Sequence, residues 1–311
     1  MEFVTVFPGQ GSQSVGMMDD LAASYPVVKQ TFQAASDAIE TDLWEMVVNG
    51  PAQQLNQTYH TQPVMLAASY SIWQILQQST SKLPQMMAGH SFGEVSALCC
   101  AQAIDYQDAV VLAHKRGQIM QQAVPQGVGA MAAILGLDDD CLTELCAQLS
   151  SDTEVVEAVN FNAPGQVVVA GHTHTVDKLI DCAKQAGAKR ALKLPVSVPA
   201  HSSLMRHAAD KFAEILAEMT FALPAIPVLQ NTTLESAQSA DAVVSGLTEQ
   251  LYSPVPWVKT IQTMQATLNC IIEIGPGRVL TGLHKRIDKT LTSMCIFDNA
   301  SLESALTAIE E

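Results

Sequence analysis

The sequence is poor in charge, and above all in basic residues. Only 15% of its 311 residues are charged, against about 25% in an ordinary soluble domain. Sixteen lysines and arginines stand against 31 aspartates and glutamates, which gives a net charge of −15. A nucleic-acid-binding surface needs basic residues, so neither nucleic acid nor an anionic membrane surface is an expected partner. Hydrophobic residues make up 48% of the chain, which excludes intrinsic disorder and predicts a large core.

Cysteine pairs with the spacing of metal ligands are also missing. The seven cysteines are odd in number and form no CxxC, so we expect neither a disulfide framework nor a structural zinc site. No apolar run reaches the roughly 18 residues of a membrane span, and the N-terminus has no signal-peptide pattern. These absences predict a cytoplasmic protein with reduced thiols.

Strand and helix patterns alternate along the outer parts of the chain. The predicted strands are 3–7, 86–88 and 270–274. The predicted helices are 18–40, 62–78, one ending near 102, one from Asp105 to Val124-Pro125, 202–219, and one after a Gly-Pro-Gly turn. Such alternation favours a parallel sheet covered by helices.

The middle of the chain has a different order of elements. Its predicted elements are strands at 129–137, 154–160, 167–171 and 188–196 and helices at 138–150 and 174–187. This β-α-β-β-α-β order is typical of a ferredoxin-like fold. We therefore predict that residues 126–196 form a small domain inserted into a larger α/β domain, which consists of residues 1–125 and 197–311.

Ser91 lies in the pentapeptide Gly89-His90-Ser91-Phe92-Gly93, which fits G-x-S-x-G between a predicted strand and a predicted helix. The turn lifts the serine hydroxyl above the end of the sheet, and the flanking glycines avoid clashes. A helix N-terminus at this point favours developing negative charge. The pattern predicts a nucleophile with the amide of Phe92 as an oxyanion donor. A plain serine in a glycine-bracketed turn is the structural alternative.

His201 and Arg116 are further candidates for catalytic work. Among the eight histidines, His201 lies in a loop after Pro195 and Pro199, where a ring can reach the end of a strand. No acid that would orient it is evident between Ser91 and His201, so a hydrolase-type Ser-Asp-His order is not established. Arg116 falls on the apolar face of its predicted helix and needs a polar or anionic partner. It either snorkels or pairs with a structural carboxylate, or it clamps a substrate carboxylate.

Gln10 follows the first predicted strand and has a glycine on each side. Gly9 and Gly11 let the backbone approach a ligand and aim an N–H group at it. α/β-Hydrolase-like sites take their second oxyanion donor from such a loop, so Gln10 is a candidate for that position. A simple turn is the alternative, and a P-loop is excluded because no GK[ST] follows.

Several segments in order resemble the bacterial malonyl-CoA:acyl carrier protein transacylases over essentially the whole chain. The matching segments are FPGQGSQ (7–13), GHSFGE (89–94), KRG (115–117), GAMAAILGLDD (129–139), VNFNAPGQVVVAGH (159–172), LPVSVPAH (194–201), QLYSPVPW (250–257) and EIGPGRVLTGLHKRI (273–287). Such a series is far more specific than one G-x-S-x-G. The resemblance implies an α/β-hydrolase-like core with a parallel sheet and an inserted ferredoxin-like subdomain.

The resemblance also implies a role for each candidate residue. The implied roles are Ser91 as nucleophile, His201 as base, Gln10 and Phe92 as oxyanion-hole amides, Arg116 as ligand of the malonyl carboxylate, and Gln250 as the main-chain carbonyl that orients the histidine. Phe92 departs from the family, which usually has leucine there; the amide is kept, but the ring adds bulk at the acyl pocket. The implied reaction is ping-pong transfer of malonyl from CoA to the phosphopantetheine thiol of acyl carrier protein for fatty-acid synthesis, without metal or bound cofactor.

Three alternative functions remain open beside malonyl transfer for fatty-acid synthesis. A related acyltransferase of a polyketide pathway or a malonate decarboxylase would share the chemistry and differ in the carrier. A serine hydrolase is disfavoured by Arg116, by the missing acid and by the series of segments. A non-enzymatic carrier-protein scaffold is the least expected, since Ser91, His201 and Arg116 are all present.

Two basic clusters stand out against the acidic whole. They are Lys189, Arg190 and Lys193 on one predicted strand, and Arg278, Lys285, Arg286 and Lys289 around one predicted helix. Acyl carrier proteins are typically acidic, so productive docking on this acidic chain needs a local basic patch. We predict that the two clusters form the docking rim for the carrier, with ordinary solvated faces as the alternative.

Overall fold

The structure, a computed structural model, describes residues 1–196, 198–266 and 270–311. Its strands are β1 (Val4–Phe7), β2 (Met87–Gly89), β3 (Gly129–Leu135), β4 (Val156–Ala163), β5 (Gln166–His172), β6 (Arg190–Lys193), β7 (Val228–Leu229), β8 (Cys270–Ile274) and β9 (Thr292–Ile296). Its helices are α1 (Asp19–Ser24), α2 (Pro26–Ala38), α3 (Leu43–Asn49), α4 (Ala52–Leu55), α5 (Thr58–Ser79), α6 (Gly93–Cys100), α7 (Tyr106–Gln121), α8 (Asp139–Leu149), α9 (Thr173–Gln185), α10 (Arg206–Ala217), α11 (Ala240–Gln250), α12 (Trp257–Gln265), α13 (Val279–Ile287) and α14 (Asn299–Glu310).

The larger sheet of the described residues is parallel, with the strand order β7-β2-β1-β8-β9. Strands β1, β2 and β8 are buried along their whole length, as expected of a parallel sheet covered on both faces. Phe7 pairs with Gly89, so the carboxyl ends of β1 and β2 lie side by side. The loops that follow these two strands therefore leave the sheet at one edge, where α/β folds bind ligands.

The smaller sheet is antiparallel, with the order β4-β5-β3-β6, and α8 and α9 pack on it around a core of their own. The element order β3-α8-β4-β5-α9-β6 is the predicted β-α-β-β-α-β order. With the parallel sheet, this confirms the predicted fold class. The turn between β4 and β5 is tighter than the predicted 161–166, because the strands continue to Ala163 and from Gln166.

The limits of the inserted domain stay a prediction, and residue 197, where its second flanking segment is predicted to begin, lies outside the described residues. The smaller sheet is tied to the rest of the chain through Val255. The Val255 amide donates to the carbonyl of Val159 at 2.8 Å, and the amide of Phe161 donates to the Val255 carbonyl at 3.0 Å. Strand β4 is therefore hydrogen-bonded to the segment that leads into α12.

Some elements differ from their sequence patterns. The predicted helix 18–40 is two helices, because the chain turns at Tyr25 and Pro26 begins α2. The predicted helix 202–219 begins with a 3₁₀ turn at Ser203–Met205. Further elements had no prediction, among them β7, which has 2 residues and is too short to show a period. Within the described ranges, no helix has both the length and the hydropathy to cross a membrane.

Candidate active site

Ser91 lies between β2 and α6 with a φ of 53°, in the left-handed region that costs a non-glycine residue free energy. The turn is forced because α6 begins directly against the sheet. A Cβ on Gly89 would overlap the backbone of Gly93, and a Cβ on Gly93 would overlap the main-chain carbonyl of Phe7. The two glycines thus let the chain reverse tightly enough to hold the serine above the strand end.

His201 lies against the serine. Its Nε2 is 2.6 Å from Oγ of Ser91, and its Nδ1 is 2.8 Å from the main-chain oxygen of Gln250. A carbonyl only accepts, so Nδ1 carries the hydrogen and Nε2 is free to accept the serine proton. The side chain is 2% exposed. Burial, and to a lesser extent the charge of Arg116, lowers the pKa of His201 to about 3, which keeps the resting ring neutral.

Two helix ends complement this pair. Gln250 is the last residue of α11, so its carbonyl belongs to the end that has no partner within the helix. The negative end of the helix dipole at this carbonyl favours a transient positive charge on His201. Phe92 caps the N-terminus of α6, where the positive end of the dipole favours negative charge beside Ser91. The arrangement suits a proton that moves from serine to histidine.

Phe92 and Gln10 are brought to the same end of the sheet. Gln10 is exposed in the turn after β1, and a Cβ on the preceding Gly9 would come within 2.6 Å of the carbonyl oxygen of His90. The loop of Gln10 therefore lies against the turn of Ser91. Among the described residues, neither the Gln10 amide nor the Phe92 amide donates a hydrogen bond to another protein group. Both donors are available to an oxyanion.

Arg116 is 1% exposed on α7, with its guanidinium carbon 5.9 Å from the centre of the Phe92 ring. Its Nη2 donates to Oε1 of Gln250 at 2.9 Å. Within the described part of the chain, Nε and Nη1 have no partner, and the side chain forms no ion pair. Burial lowers its pKa to about 10, so it stays charged at neutral pH. A buried guanidinium with free donors is suited to bind an anion.

Sequence reasoning missed the polar side chains that hold the turn of Ser91. The Oδ1 of Asn231 accepts from the amide of Ser91 at 3.0 Å, and its Nδ2 donates to the carbonyl of Gly89 at 2.7 Å. The Nε2 of Gln250 donates to the carbonyl of Ser91 at 3.1 Å and to Oε2 of Glu94 at 2.7 Å. Asn231, Gln250 and Glu94 are fully buried.

One signal in the sequence points to Glu94. It is the only charged residue between Met86 and Ile104, a segment of apolar and small side chains. A single acid in such a segment is buried with it and needs partners. The sequence gives little indication of Asn231. It follows a strand of only 2 residues, which is too short for a pattern to predict the strand or its end.

His90 points away from the serine, as its neighbouring position predicts. Its Nε2 lies 2.7 Å from Oδ1 of Asn162 in β4, and its ring stands edge-on to Trp257 at 5.3 Å. This histidine therefore links the turn of Ser91 to the smaller sheet. In the ranges that the structure describes, no group of three or more His, Cys, Asp and Glu side chains is placed to hold a metal ion.

Comparison with known proteins places this geometry in context. A family model described as "Acyl transferase domain" matches residues 4–302. The chain is 51% identical over 306 residues to a malonyl CoA-acyl carrier protein transacylase of Escherichia coli strain K12, with 98% of this chain and 99% of the relative covered. A Bacillus subtilis relative of the same name is 38% identical, with 98% and 96% covered.

Solved structures agree with these relatives. An acyl carrier protein S-malonyltransferase from Vibrio cholerae superposes with a TM-score of 0.95 at 51% identity, covering 98% of this chain and 100% of the other. A malonyl-transacylase in complex with a type II PKS acyl-carrier protein superposes with a TM-score of 0.97 at 49% identity, covering 99% and 100%.

Proposed function

As the chain belongs to the acyl transferase domain family, we propose that Ser91 carries a malonyl group from CoA to the thiol of acyl carrier protein. The resemblance found in the sequence is confirmed, and the activity is that of a malonyl-CoA:acyl carrier protein S-malonyltransferase. The observation that best supports the proposed site is the 2.6 Å contact between Ser91 Oγ and His201 Nε2. It joins a nucleophile and a base in the arrangement that acyl transfer needs.

In the first half-reaction, Nε2 of His201 takes the proton of Ser91 while Oγ attacks the thioester carbon of malonyl-CoA. The amides of Gln10 and Phe92 donate to the oxyanion. The carbon–sulfur bond then breaks, and CoA leaves as a thiol with the proton that His201 held. The carbonyl of Gln250 keeps the ring in one tautomer throughout, which is the part that an acid plays in hydrolases.

The second half-reaction runs the same steps with a new thiol. The phosphopantetheine thiol of the carrier gives its proton to His201 and attacks the ester carbon, and the same two amides stabilise the second oxyanion. The ester bond breaks, and Ser91 recovers its proton from His201. Every proton is accounted for by these groups, so we propose that no metal or bound cofactor takes part.

Arg116 gives the site its preference for malonyl. We propose that its free Nε and Nη1 bind the terminal carboxylate of the acyl group, a group that acetyl lacks. The ring of Phe92 lies beside this guanidinium and forms part of the same pocket. The buried position of Arg116 excludes water from the pair and strengthens it.

The acceptor is acyl carrier protein. We propose that the smaller sheet and α13 flank the entrance through which its phosphopantetheine arm reaches Ser91. The Nη1 of Arg286 on α13 hydrogen-bonds to Oε1 of Gln166 at the start of β5, so the second basic cluster contacts the smaller sheet. The first cluster lies on and beside β6, at the edge of the same sheet, with β3 between β5 and β6. Lys193 is already paired with Asp177 at 2.7 Å, which leaves Lys189 and Arg190 as the free cations of the first cluster among the described residues.

We propose a cytoplasmic role in supplying malonyl units for fatty-acid biosynthesis. The complex of a 49% identical malonyl-transacylase with a type II PKS carrier favours a second candidate, in which a polyketide carrier is the acceptor. Transfer rates to the two kinds of carrier distinguish these roles, since the chemistry at Ser91 is common to both.

Mass spectrometry of the intact protein tests the proposal. Malonyl-CoA alone should leave one malonyl ester on Ser91, and addition of carrier should remove it and add the malonyl group to the carrier. Ser91→Ala should abolish the label. Ser96→Ala is the matched control, because Ser96 is a buried serine of the same helix region, and it should keep the label. A label on Cys99 or Cys100 would overturn the assignment.

A further inference from the structure

Glu94 is a buried carboxyl group in the first turn of α6, and the mechanism above gives it no step. It is 0% exposed, and its Oε2 accepts from the amide of Asn231 at 2.9 Å and from Nε2 of Gln250 at 2.7 Å. Both donors stabilise a negative charge on Oε2, while Oε1 has no partner within the described residues. A negative charge at such depth requires a positive partner.

That partner is Arg116, which Glu94 reaches through a single side chain. The guanidinium donates to Oε1 of Gln250 at 2.9 Å, while Nε2 of the same amide donates to Glu94 at 2.7 Å. The amide dipole thus lies between the two charges, with its oxygen towards the cation and its NH₂ towards the anion. This alignment is favourable at both ends.

The two charges also affect each other's ionisation. Burial raises the pKa of Glu94 to about 7, and the hydrogen bonds from Asn231 and Gln250 and the charge of Arg116 oppose that rise. Burial lowers the pKa of Arg116 to about 10, and the charge of Glu94 opposes that fall. Each group therefore helps to keep the other charged.

We propose that Glu94 is the fixed counter-ion of Arg116, held one side chain away so that the guanidinium keeps donors free for its ligand. A carboxylate in direct contact would occupy these donors as a bidentate pair. In the described residues, Nε and Nη1 of Arg116 are unpaired instead. Glu94 acts through Gln250 and Arg116 and is a positioning residue, not a catalytic one.

The pairing has a consequence for the reaction, and this part of the inference rests on the proposed function. When the malonyl carboxylate binds Arg116, two negative charges share one positive charge. Glu94 therefore weakens the hold of Arg116 on the malonyl group and favours its release to the carrier. Glu94→Gln keeps the shape and one acceptor oxygen but removes the charge. It should slow malonyl release about tenfold more than acetyl release, the effect of one buried charge at moderate effective dielectric.

A double-mutant cycle of thermal stability tests the pairing of Glu94 with Arg116 directly, because it does not depend on enzymatic activity. Thermal unfolding is measured for the unmodified protein, Glu94→Gln, Arg116→Met and the double variant. Each single variant leaves one buried charge alone and should lower the Tm, whereas the double variant should melt higher than either. Additive losses would overturn the pairing. If Glu94→Gln alone fails to fold, a folded double variant supports the pairing and an unfolded one overturns it.

Glu273→Gln is the matched control for this cycle. Glu273 is also 0% exposed, but it accepts from the amides of Leu280 and Thr281 at 3.0 and 2.7 Å. The decrease in Tm caused by Glu273→Gln should therefore add to the decrease caused by Arg116→Met. If the double variant of Glu273→Gln with Arg116→Met also melts higher than either single variant, the effect is one of buried charge in general. That result would overturn the specific pairing of Glu94 with Arg116.

Acyl release from the preformed acyl-enzyme supplies the second readout. In Glu94→Gln, malonyl transfer to the carrier should slow about tenfold relative to acetyl transfer. Equal changes for the two acyl groups would overturn the electrostatic role. If the unmodified protein takes no malonyl on Ser91, the proposed function fails, while the stability cycle still decides whether Glu94 and Arg116 are paired.

Discussion

Replacing Arg116 with alanine tests whether its guanidinium binds the malonyl carboxylate. The side chain is 1% exposed, and its Nε and Nη1 have no partner within the described residues. Each free donor can form one charge-assisted hydrogen bond, worth about 1.5–3 kcal/mol. Loss of one bond corresponds to a roughly 10- to 150-fold slower reaction, and loss of both to roughly 10²- to 10⁴-fold.

The assay compares kcat/KM for malonyl-CoA and acetyl-CoA with the same carrier. Acetyl has no carboxylate, so its transfer should suffer only from the disturbed pocket and from the lost contact with Gln250. The ratio of malonyl to acetyl transfer should therefore fall at least tenfold in Arg116→Ala. Arg116→Lys should give an intermediate ratio, because an ammonium keeps the charge but not the planar fork.

Arg206→Ala is the control variant, because it removes an arginine that has no proposed contact with the malonyl group. Arg206 is exposed, and its guanidinium carbon lies 4.3 Å from the centre of the Tyr252 ring. It should leave the ratio of the two acyl groups unchanged. If Arg116→Ala lowers malonyl and acetyl transfer equally, the arginine is structural and the proposed carboxylate clamp is refuted.

His201→Ala should lower transfer about a hundredfold or more, the usual loss of a general base, while the protein stays folded and still binds malonyl-CoA. Steady-state rates and thermal unfolding together check this, and a loss explained by unfolding would contradict it. Reversal of either exposed pair to glutamate, Lys189 with Arg190 or Lys285 with Arg286, should raise the KM for the carrier and spare the first half-reaction. The KM should also rise with salt in the unmodified protein, and a KM insensitive to both changes would place docking elsewhere.

The parts of the site that the sequence predicts are those that local patterns determine. Ser91 is recognisable because a strand, two required glycines and a helix are consecutive in the chain. Arg116 is recognisable because a cation on an apolar helix face contradicts the pattern around it. His201 is placed by its loop and by the resemblance, since nothing local distinguishes it from other loop histidines.

The remaining parts depend on contacts between distant segments. The side chain of Gln250 meets Glu94 across 156 positions of the sequence, and Asn231 meets Ser91 across 140. No period or spacing encodes such contacts, so the hydrogen bonds that hold the turn of Ser91 are visible only in the fold. The same holds for β7, whose 2 residues are defined by pairing with β2 and not by a pattern of their own.

The group that orients His201 is a main-chain carbonyl at a helix end, and this affects how the site can evolve. If an aspartate side chain oriented the histidine, a single nucleotide substitution could remove it. The histidine would then no longer be held in one tautomer. The carbonyl oxygen of residue 250, 2.8 Å from Nδ1, is present whatever side chain the gene encodes. Mutations reach it only by moving the end of α11. The bond to His201 is thus independent of which side chain stands at position 250, whereas the bonds from that position to Ser91, Glu94 and Arg116 depend on it.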